Sequence, residues 1–237
     1  MGLDHVMILN MEHDIERYWA SMGALDTLKF YIPSGQVIRH INYNGMNYKD
    51  TKSVHEAAIA DGFPSFGSYR STNRARAAWV WSYQSALRKI VEMDKTVLLL
   101  IDDYVPEYLW PRDRFDALIE EVQDKGLRII QLAHSDLKEE VYLYKDLVTA
   151  SLAKGLAGAN DFGVVINGAG AALVLKVYEA NPNLQPNEIY SVIKELGEHD
   201  PQMCWGMYHT VEIICRMLCD DIFESQVCAV PPEEFVK

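Results

Sequence analysis

Two adjacent acidic residues, Asp102 and Asp103, follow the most apolar segment of the chain. That segment, Thr96–Ile101, reads TVLLLI, which is typical of a strand buried on both faces. Two carboxylates at the end of such a strand are costly unless they meet a cation or water. A divalent metal that bridges a diphosphate needs hard oxygen ligands of this kind. The pair therefore predicts a metal-assisted nucleotide site, with a solvated turn as the alternative interpretation.

A second pair of polar residues belongs to the first predicted strand and helix. Asn10 ends the apolar run Val6–Asn10, and Arg17 lies on the predicted helix Glu12–Met22. A strand-end asparagine and an arginine one to two turns into the next helix can face the same crevice. Because a guanidinium fork suits a diphosphate or the edge of a base, we expect Asn10 and Arg17 to bind a nucleotide. The alternative is an ordinary surface arginine.

Basic residues also mark the start of a predicted long helix, Thr72–Met93. Arg70, Arg74 and Arg76 accompany Asn73 at this point of the chain. The N-terminus of a helix adds its own attraction for anions. We therefore expect Asn73 and Arg74 to bind the phosphates of a nucleotide, the alternative being a solvated helix start with ion pairs.

The order of the predicted elements places several of these residues at one edge of a sheet. Repeated strand–helix–strand order with apolar strands predicts an α/β fold over residues 1–237: one Rossmann-like domain, a mainly parallel sheet flanked by helices, and a helical C-terminal part. Ligands of such sheets bind at the carboxyl ends of the strands. The strands are predicted at Val6–Asn10, Leu28–Ile32, Val37–Ile41, Thr96–Ile101, Leu127–Leu132 and Phe162–Asn167, and the helices at Glu12–Met22, Ser53–Ala60, Thr72–Met93, Arg112–Asp124, Gly170–Ala180, Pro186–Leu196 and Met203–Leu218, with Lys145–Asp161 open between helix and loop.

Composition and charge narrow the class of protein. A chain of 237 residues with 49% hydrophobic content can bury a sizeable core without disulfides. The net charge of −12 disfavours a nucleic-acid partner. Four cysteines, none in a CxxC pair, indicate reduced thiols. The N-terminus lacks a signal-peptide pattern and no apolar run reaches the roughly 20 residues of a membrane span, so a cytoplasmic protein is expected.

Several segments, taken together and in order, resemble glycosyltransferase family 25, the lipopolysaccharide-type galactosyltransferases and their collagen-modifying relatives. The similar segments are ILNMEHDIER (Ile8–Arg17), SYQSALRKIVEMDKTVLLLIDDYVP (Ser82–Pro106), RIIQL (Arg128–Leu132) and Phe162–Leu175. The resemblance implies a GT-A-like domain that moves a sugar from a nucleotide donor, for which we expect a UDP-sugar, to a hydroxyl of a glycan or another acceptor. It also implies that Asp103 binds a divalent metal, Mn²⁺ or Mg²⁺, and that Asp102 contacts the ribose or the donor sugar. Ile101 stands where the family usually has a third acid.

The acceptor hydroxyl needs a base if the transfer inverts the sugar, and a carboxylate or an imidazole can serve. Asp136, Asp200 and His209 are the candidates, with Asp161 as a further one. Each of them has a solvated or capping role as its alternative. The aromatic side chains in the glycine-rich stretch 42–71 are expected either to stack on a base or sugar or to pack against one another.

Two further functions stay open at this point. Transfer of a sugar to a modified base of DNA would need a basic face, which only the arginines of 70–76 and 112–114 supply, and the net charge opposes it. A nucleotide-binding protein without catalysis fits the missing acid at Ile101. An interaction module of another kind would bind no nucleotide.

Overall fold

The computed structural model describes residues 3–27, 36–63, 73–102, 104–106, 119–120, 128–131, 152–154, 163–181, 184, 189, 207–210 and 215–217. The elements in chain order are β1 (His5–Met11), α1 (Ile15–Thr27), β2 (Val37–Asn42), a 3₁₀ turn (Gly45–Asn47), α2 (Thr51–Ala60), α3 (Arg74–Met93), β3 (Val97–Ile101), β4 (Tyr104–Pro106), β5 (Ile129–Gln131), β6 (Leu152–Lys154), β7 (Val164–Ile166), α4 (Gly168–Ala180), β8 (Met207–Thr210) and β9 (Cys215–Met217). The predicted elements from β1 to β3 that fall within these ranges are confirmed, with boundaries that differ by a few residues.

Seven of the strands form one mixed sheet, in the order β2-β1-β3-β7-β5-β8-β6. β1 runs parallel to both β2 and β3, whereas β7 runs antiparallel to both β3 and β5. The α/β class is confirmed, but the sheet is not mainly parallel as predicted. The apolar run of β7 marks it as buried and carries no information about strand direction, which depends on connections elsewhere in the chain. β4 and β9 form a separate antiparallel pair.

The chain leaves β1 and β2 toward opposite faces of the sheet. The connection from β1 to β2 runs through α1, and Ser21 of that helix bonds the backbone carbonyl of Asp102. The connection from β2 to β3 runs through α3, which packs with Met7, Leu9 and Leu99 in the hydrophobic core. We call these two sides the α1 face and the α3 face. Because β1 lies between β2 and β3, the carboxyl ends of β1 and β3 form a topological switch point, where open α/β sheets have their ligand crevice.

Helix α3 forms the centre of the α3 face. Its apolar stripe is buried along the whole helix, from Ala77 to Ile90. Asn73 caps its N-terminus by accepting a hydrogen bond from the Arg76 backbone amide at 2.9 Å, and Asp94 ends it in the left-handed conformation. α2, the 3₁₀ turn and α4 pack around α3.

The predicted helical C-terminal part is wrong where the structure describes it. Met203–Leu218 was expected to be a helix, yet it contains strands β8 and β9. The β8 segment, MYHT, pairs in parallel with β5, and β9 pairs with β4, so partners distant in sequence override the helix-like spacing of apolar residues. Lys145–Asp161 contains the short strand β6. Leu28–Ile32 lies outside the described residues, as do Arg112–Asp124 and Pro186–Leu196 except for a few helical positions.

Candidate functional site

The ends of β1 and β3 are joined by a buried side-chain hydrogen bond. Leu9 pairs with Ile101 across the two parallel strands, so the next residues of each strand, Asn10 and Asp102, meet at the edge of the sheet. Asn10 Nδ2 donates to Asp102 Oδ2 at 2.6 Å, and the Asp102 amide donates to the Leu9 carbonyl at 3.1 Å. Asn10 is fully buried and Asp102 is 6% exposed. A carboxylate this deeply buried is stabilised by such charge-assisted bonds.

Arg39 of β2 holds the other end of the Asn10 side chain. Its Nε donates to Asn10 Oδ1 at 2.8 Å, and its Nη2 donates to the same oxygen. Nη2 also donates to the backbone carbonyls of Met11 and Glu12, each at 3.0 Å. The guanidinium lies 5.1 Å from the centre of the Tyr18 ring. Arg39 therefore ties β2 to the end of β1 and to the turn that follows it.

The first turns of α1 close the site from the α1 face. Arg17 is 4% exposed and forms an ion pair with Asp14, Nε to Oδ2, at 3.2 Å. Asn10 Nδ2 also donates to the Asp14 backbone carbonyl at 2.9 Å. One turn after Arg17, the Ser21 hydroxyl donates to the Asp102 carbonyl at 3.0 Å. The structure thus brings Asn10, Arg17 and Asp102 together as expected, while their role in donor binding stays a prediction.

Asn73 and Arg74 lie at the start of α3, on the α3 face. Because α3 leads into β3, its N-terminus lies toward the same carboxyl edge as Asn10 and Asp102. Arg74 Nη1 donates to the Tyr48 carbonyl at 3.1 Å. A Cβ on Gly45 would collide with the Arg74 carbonyl oxygen, so the 3₁₀ turn packs directly on the start of the helix. These contacts give Asn73 a capping role and Arg74 a packing role; phosphate binding by either residue stays a prediction.

The described aromatic residues of the glycine-rich stretch pack around one ring of α3. Tyr43 stacks on Trp81 with ring centres 3.5 Å apart, and Tyr48 and Phe63 lie 6.0 and 6.4 Å from the same ring. The Tyr43 hydroxyl donates to Asp61 at 3.1 Å. These three residues pack within the protein, but on Trp81 of α3 and not on one another as one of the two interpretations expected. Phe66 and Tyr69 lie outside the described residues.

The remaining predicted site residues either lie outside the described part of the chain or lie away from this cluster. Asp103, Asp136, Asp161 and Asp200 lie outside the described residues. His209 lies in β8, three strands from β3 in the sheet, which corresponds to about 14 Å at the usual strand spacing. The register of the strands places His209 level with Leu99, in the middle of β3 and not at its carboxyl end, where Asp102 lies.

The donor set that the structure describes does not fit a divalent metal by itself. One Asp102 oxygen accepts the Asn10 hydrogen bond. Over the residues with described positions, no group of three or more His, Cys, Asp or Glu side chains could hold an ion. Mg²⁺ and Mn²⁺ need oxygen ligands in addition to one carboxylate. Metal binding through Asp103 therefore stays a prediction from the sequence.

Sequence reasoning missed Arg39, Asp14 and Ser21. Arg39 lies in the middle of a strand whose other residues are mostly apolar, and its partner Asn10 is distant in sequence. One signal could have identified Arg39: it is a charged residue paired with the buried Ile8, so both side chains face the same side of the sheet. Asp14 and Ser21 are spaced three and four residues from Arg17, which places all three on one face of the helix start.

Comparisons with known proteins do not indicate a function. No protein-family model and no curated protein matches the chain. Among the helices that the structure describes, none is long and apolar enough to cross a membrane. The observations that bear on function are therefore the Asn10–Asp102 cluster and its position in the sheet.

Proposed function

We propose that the protein is a glycosyltransferase that binds a nucleotide-sugar donor, with a UDP-sugar as the first choice, at the carboxyl ends of β1 and β3. One observation carries this proposal: the Asn10–Asp102 hydrogen bond lies at the switch point of the sheet. Open α/β sheets bind nucleotides at that point because backbone and side chains from neighbouring strands converge there. A GT-A-like domain and the resemblance in sequence are consistent with this placement.

The charges of the cluster suit a nucleotide. Two guanidinium groups belong to the cluster: Arg17 forms an ion pair with Asp14, and Arg39 donates to Asn10, the residue that binds Asp102. Arg17 lies at the start of α1, where the helix also favours anions, and is the candidate for the diphosphate. An ionised carboxylate only accepts hydrogen bonds, so Asp102 is the candidate for a hydroxyl of the ribose or of the donor sugar.

The transfer itself breaks the bond between the sugar and the nucleoside diphosphate and forms a bond to the acceptor oxygen. The acceptor hydroxyl passes its proton to a base, for which Asp136, Asp200 and His209 remain the proposed candidates. A glycan is the proposed acceptor. A metal bound by Asp103, Mn²⁺ or Mg²⁺, is a separate proposal, and binding of the nucleotide by Arg17 and Asp102 does not require it.

A nucleotide-binding protein without turnover is the second candidate. The observation that favours it is Ile101, the last residue of β3, which stands where the family that the sequence resembles usually has a third acid. Cytoplasmic location and use of a DNA acceptor are proposals from the sequence alone, and the net charge of −12 opposes the second.

The test is calorimetric titration with UDP, TDP, GDP and ADP, with and without Mn²⁺. We expect one nucleotide to bind, and Asp102→Asn to weaken it at least about tenfold because a charge-assisted bond is lost. Asp61→Asn, which removes an exposed carboxylate bonded to Tyr43, is the matched control and leaves affinity unchanged. If Asp103→Asn removes only the Mn²⁺-dependent part of the binding, the metal proposal holds.

Turnover separates the two candidates. Release of the nucleoside diphosphate from the matching nucleotide sugar, measured with simple saccharides as acceptors, supports the transferase. Binding without any release supports the non-catalytic protein. Absence of binding to all four nucleotides contradicts both.

A further inference from the structure

The amide of Asn10 has its whole hydrogen-bonding capacity engaged within the protein. Its two N–H groups are directed at the Asp14 carbonyl and at Asp102 Oδ2, and its oxygen accepts from Nε and Nη2 of Arg39. An asparagine amide offers two donors and two acceptor lone pairs, so no capacity is left for a ligand. We infer that Asn10 is a positioning residue, locked by Arg39, and acts on the bound nucleotide only through Asp102.

The direction of this lock follows from the chemistry of its two ends. Arginine can only donate, so the end of the amide that faces Arg39 must be the oxygen. An ionised carboxylate can only accept, so the end that faces Asp102 must be the nitrogen. A flipped amide would place N–H groups against the guanidinium and an oxygen against the carboxylate, two repulsive contacts in a fully buried position. Arg39 therefore selects the one orientation of Asn10 that holds Asp102.

Arg39 is itself held in place, which makes the selection effective. Its Nη2 binds the Met11 and Glu12 carbonyls, and its guanidinium lies over the Tyr18 ring. The Asp102 carboxylate is thus fixed by a chain of contacts that begins in β2, two strands away in the sheet. The consequence for nucleotide affinity rests on the proposed function; the locked amide does not.

The first measurement is hydrogen exchange of the Asn10 side-chain amide, followed by NMR on the ligand-free protein. Its resonances are assigned by their loss in Asn10→Ser. Arg39→Met leaves the Asn10 oxygen without its donors, and we expect exchange of the Nδ2 protons to quicken at least about tenfold, as for a lost bond to a charged group. Arg39→Lys keeps one donor group, so its Asn10 exchange rate should lie between those of the unaltered protein and of Arg39→Met.

Arg88→Met is the matched control. Arg88 also donates to two backbone carbonyls, those of Asp61 and Gly62, and lies over an aromatic ring, that of Phe63, and none of these described contacts involves a side-chain amide. Arg88→Met removes the same atoms as Arg39→Met but leaves the hydrogen bonds between Arg39 and Asn10 in place. We expect the Asn10 exchange rate in this variant to match that of the unaltered protein.

Unchanged Asn10 exchange in a folded Arg39→Met protein, or an equal effect of Arg88→Met, overturns the lock. If Arg39→Met does not fold, Arg39→Lys decides, with exchange a few times faster expected and unchanged exchange contradicting the lock. The second measurement is nucleotide affinity, expected to fall about tenfold in Arg39→Met and to recover partly in Arg39→Lys. If no nucleotide binds the unaltered protein, the proposed function fails, while the exchange data still decide the lock.

Discussion

The two faces of the sheet differ in how their buried polar groups are paired. On the α1 face, Asn10 and Asp102 are bonded to each other, and Asn10 is also bonded to Arg39. On the α3 face, both amide atoms of Gln84 and the indole nitrogen of Trp81 are buried and have no hydrogen-bond partner in the part of the chain that the structure describes. Such unpaired groups cost about 1–3 kcal/mol each, so the α3 face must be stabilised mainly by packing.

This difference separates the tasks of the two faces. Leu9 and Asn10 are neighbours in β1, yet strand alternation sends Leu9 into the core with α3 and Asn10 into the polar cluster. An amide such as that of Asn10, with all its hydrogen bonds made inside the protein, is rigid and directional, as the support of a ligand site needs to be. Substitutions on the α3 face should therefore change the stability of the fold, and substitutions on the α1 face should change binding.

The largest expected effect is that of Trp81→Ala. Trp81 is 3% exposed and is the ring on which Tyr43, Tyr48 and Phe63 pack. Truncation of a buried aromatic leaves a cavity and costs about 3–5 kcal/mol. The free energy of unfolding, from urea titrations followed by circular dichroism, measures it. Trp81→Phe, which keeps a ring, should lose less and keeps the test usable if the alanine variant does not fold.

Trp19→Ala is the matched control on the α1 face. Trp19 is 62% exposed and contacts Tyr18 edge-on, so its removal should change stability by no more than about 0.5–1 kcal/mol. Asp102→Asn completes the comparison from the side of binding. Two results would contradict this division of tasks between the faces. One is an unchanged free energy of unfolding in Trp81→Ala, and the other is a loss of nucleotide affinity in Trp81→Phe as large as that in Asp102→Asn.

The next largest expected effect is a loss of folding stability in acid, through two buried histidines on the α3 face. Burial, reinforced by the nearby Lys89, lowers the pKa of His40 to about 4, and a hydrogen bond that the imidazole donates to the Ser82 backbone opposes this shift. Burial also lowers the pKa of His55 to about 4. Between the ordinary value near 6.5 and pH 4, the unfolded chain binds protons that the folded chain does not, so stability falls as pH falls. For His40 the expected loss from pH 7 to pH 5 is about 1–2 kcal/mol, and for His55 the loss has the same sign and is smaller because solvent screens that group more.

Urea midpoints at pH 7 and pH 5 test this pH dependence. His40→Gln cannot be protonated, so the loss of stability between the two pH values should shrink by about the contribution of one histidine. His13→Gln is the control, because His13 is exposed in the turn after β1 and its replacement should leave the pH dependence as it is. An identical pH profile in His40→Gln would show that this imidazole is not buried neutral in the fold.

The elements that the sequence predicted correctly are those with a strong local pattern. The run TVLLLI of β3 and the apolar stripe of α3 are visible without knowledge of any partner. Asn10, Arg17 and Asp102 could be predicted to converge because the carboxyl ends of neighbouring parallel strands meet at one edge. Those predictions needed only periodicity and the order of the elements.

The missed features all depend on partners that are distant in the chain. Direction in β7 and pairing in β8 follow from neighbouring strands, and MYHT alone looks equally suited to a helix. Arg39 looks like a surface residue of an edge strand until its acceptor, Asn10, is known. The packing of Tyr43 on Trp81 joins a loop to a helix and has no local signal. Local patterns therefore predicted the elements, and long-range contacts decided the sheet and the details of the site.

The smallest expected effect tests whether α1 can be stabilised without disturbing the site. Gly23 lies within α1 and is exposed, and a Cβ added there would meet nothing within 4 Å. Gly23→Ala should raise the free energy of unfolding by about 0.5–1 kcal/mol, because alanine has less backbone freedom to lose in a helix. Gly45→Ala is the contrasting variant, since its Cβ would collide with the Arg74 backbone and should destabilise the start of α3. Because the Ser21 hydroxyl and not Gly23 contacts Asp102, nucleotide affinity in Gly23→Ala should stay the same. Weaker binding in a more stable Gly23→Ala protein would mean that α1 must move for the ligand to enter, and that the α1 face is less rigid than its saturated hydrogen bonds indicate.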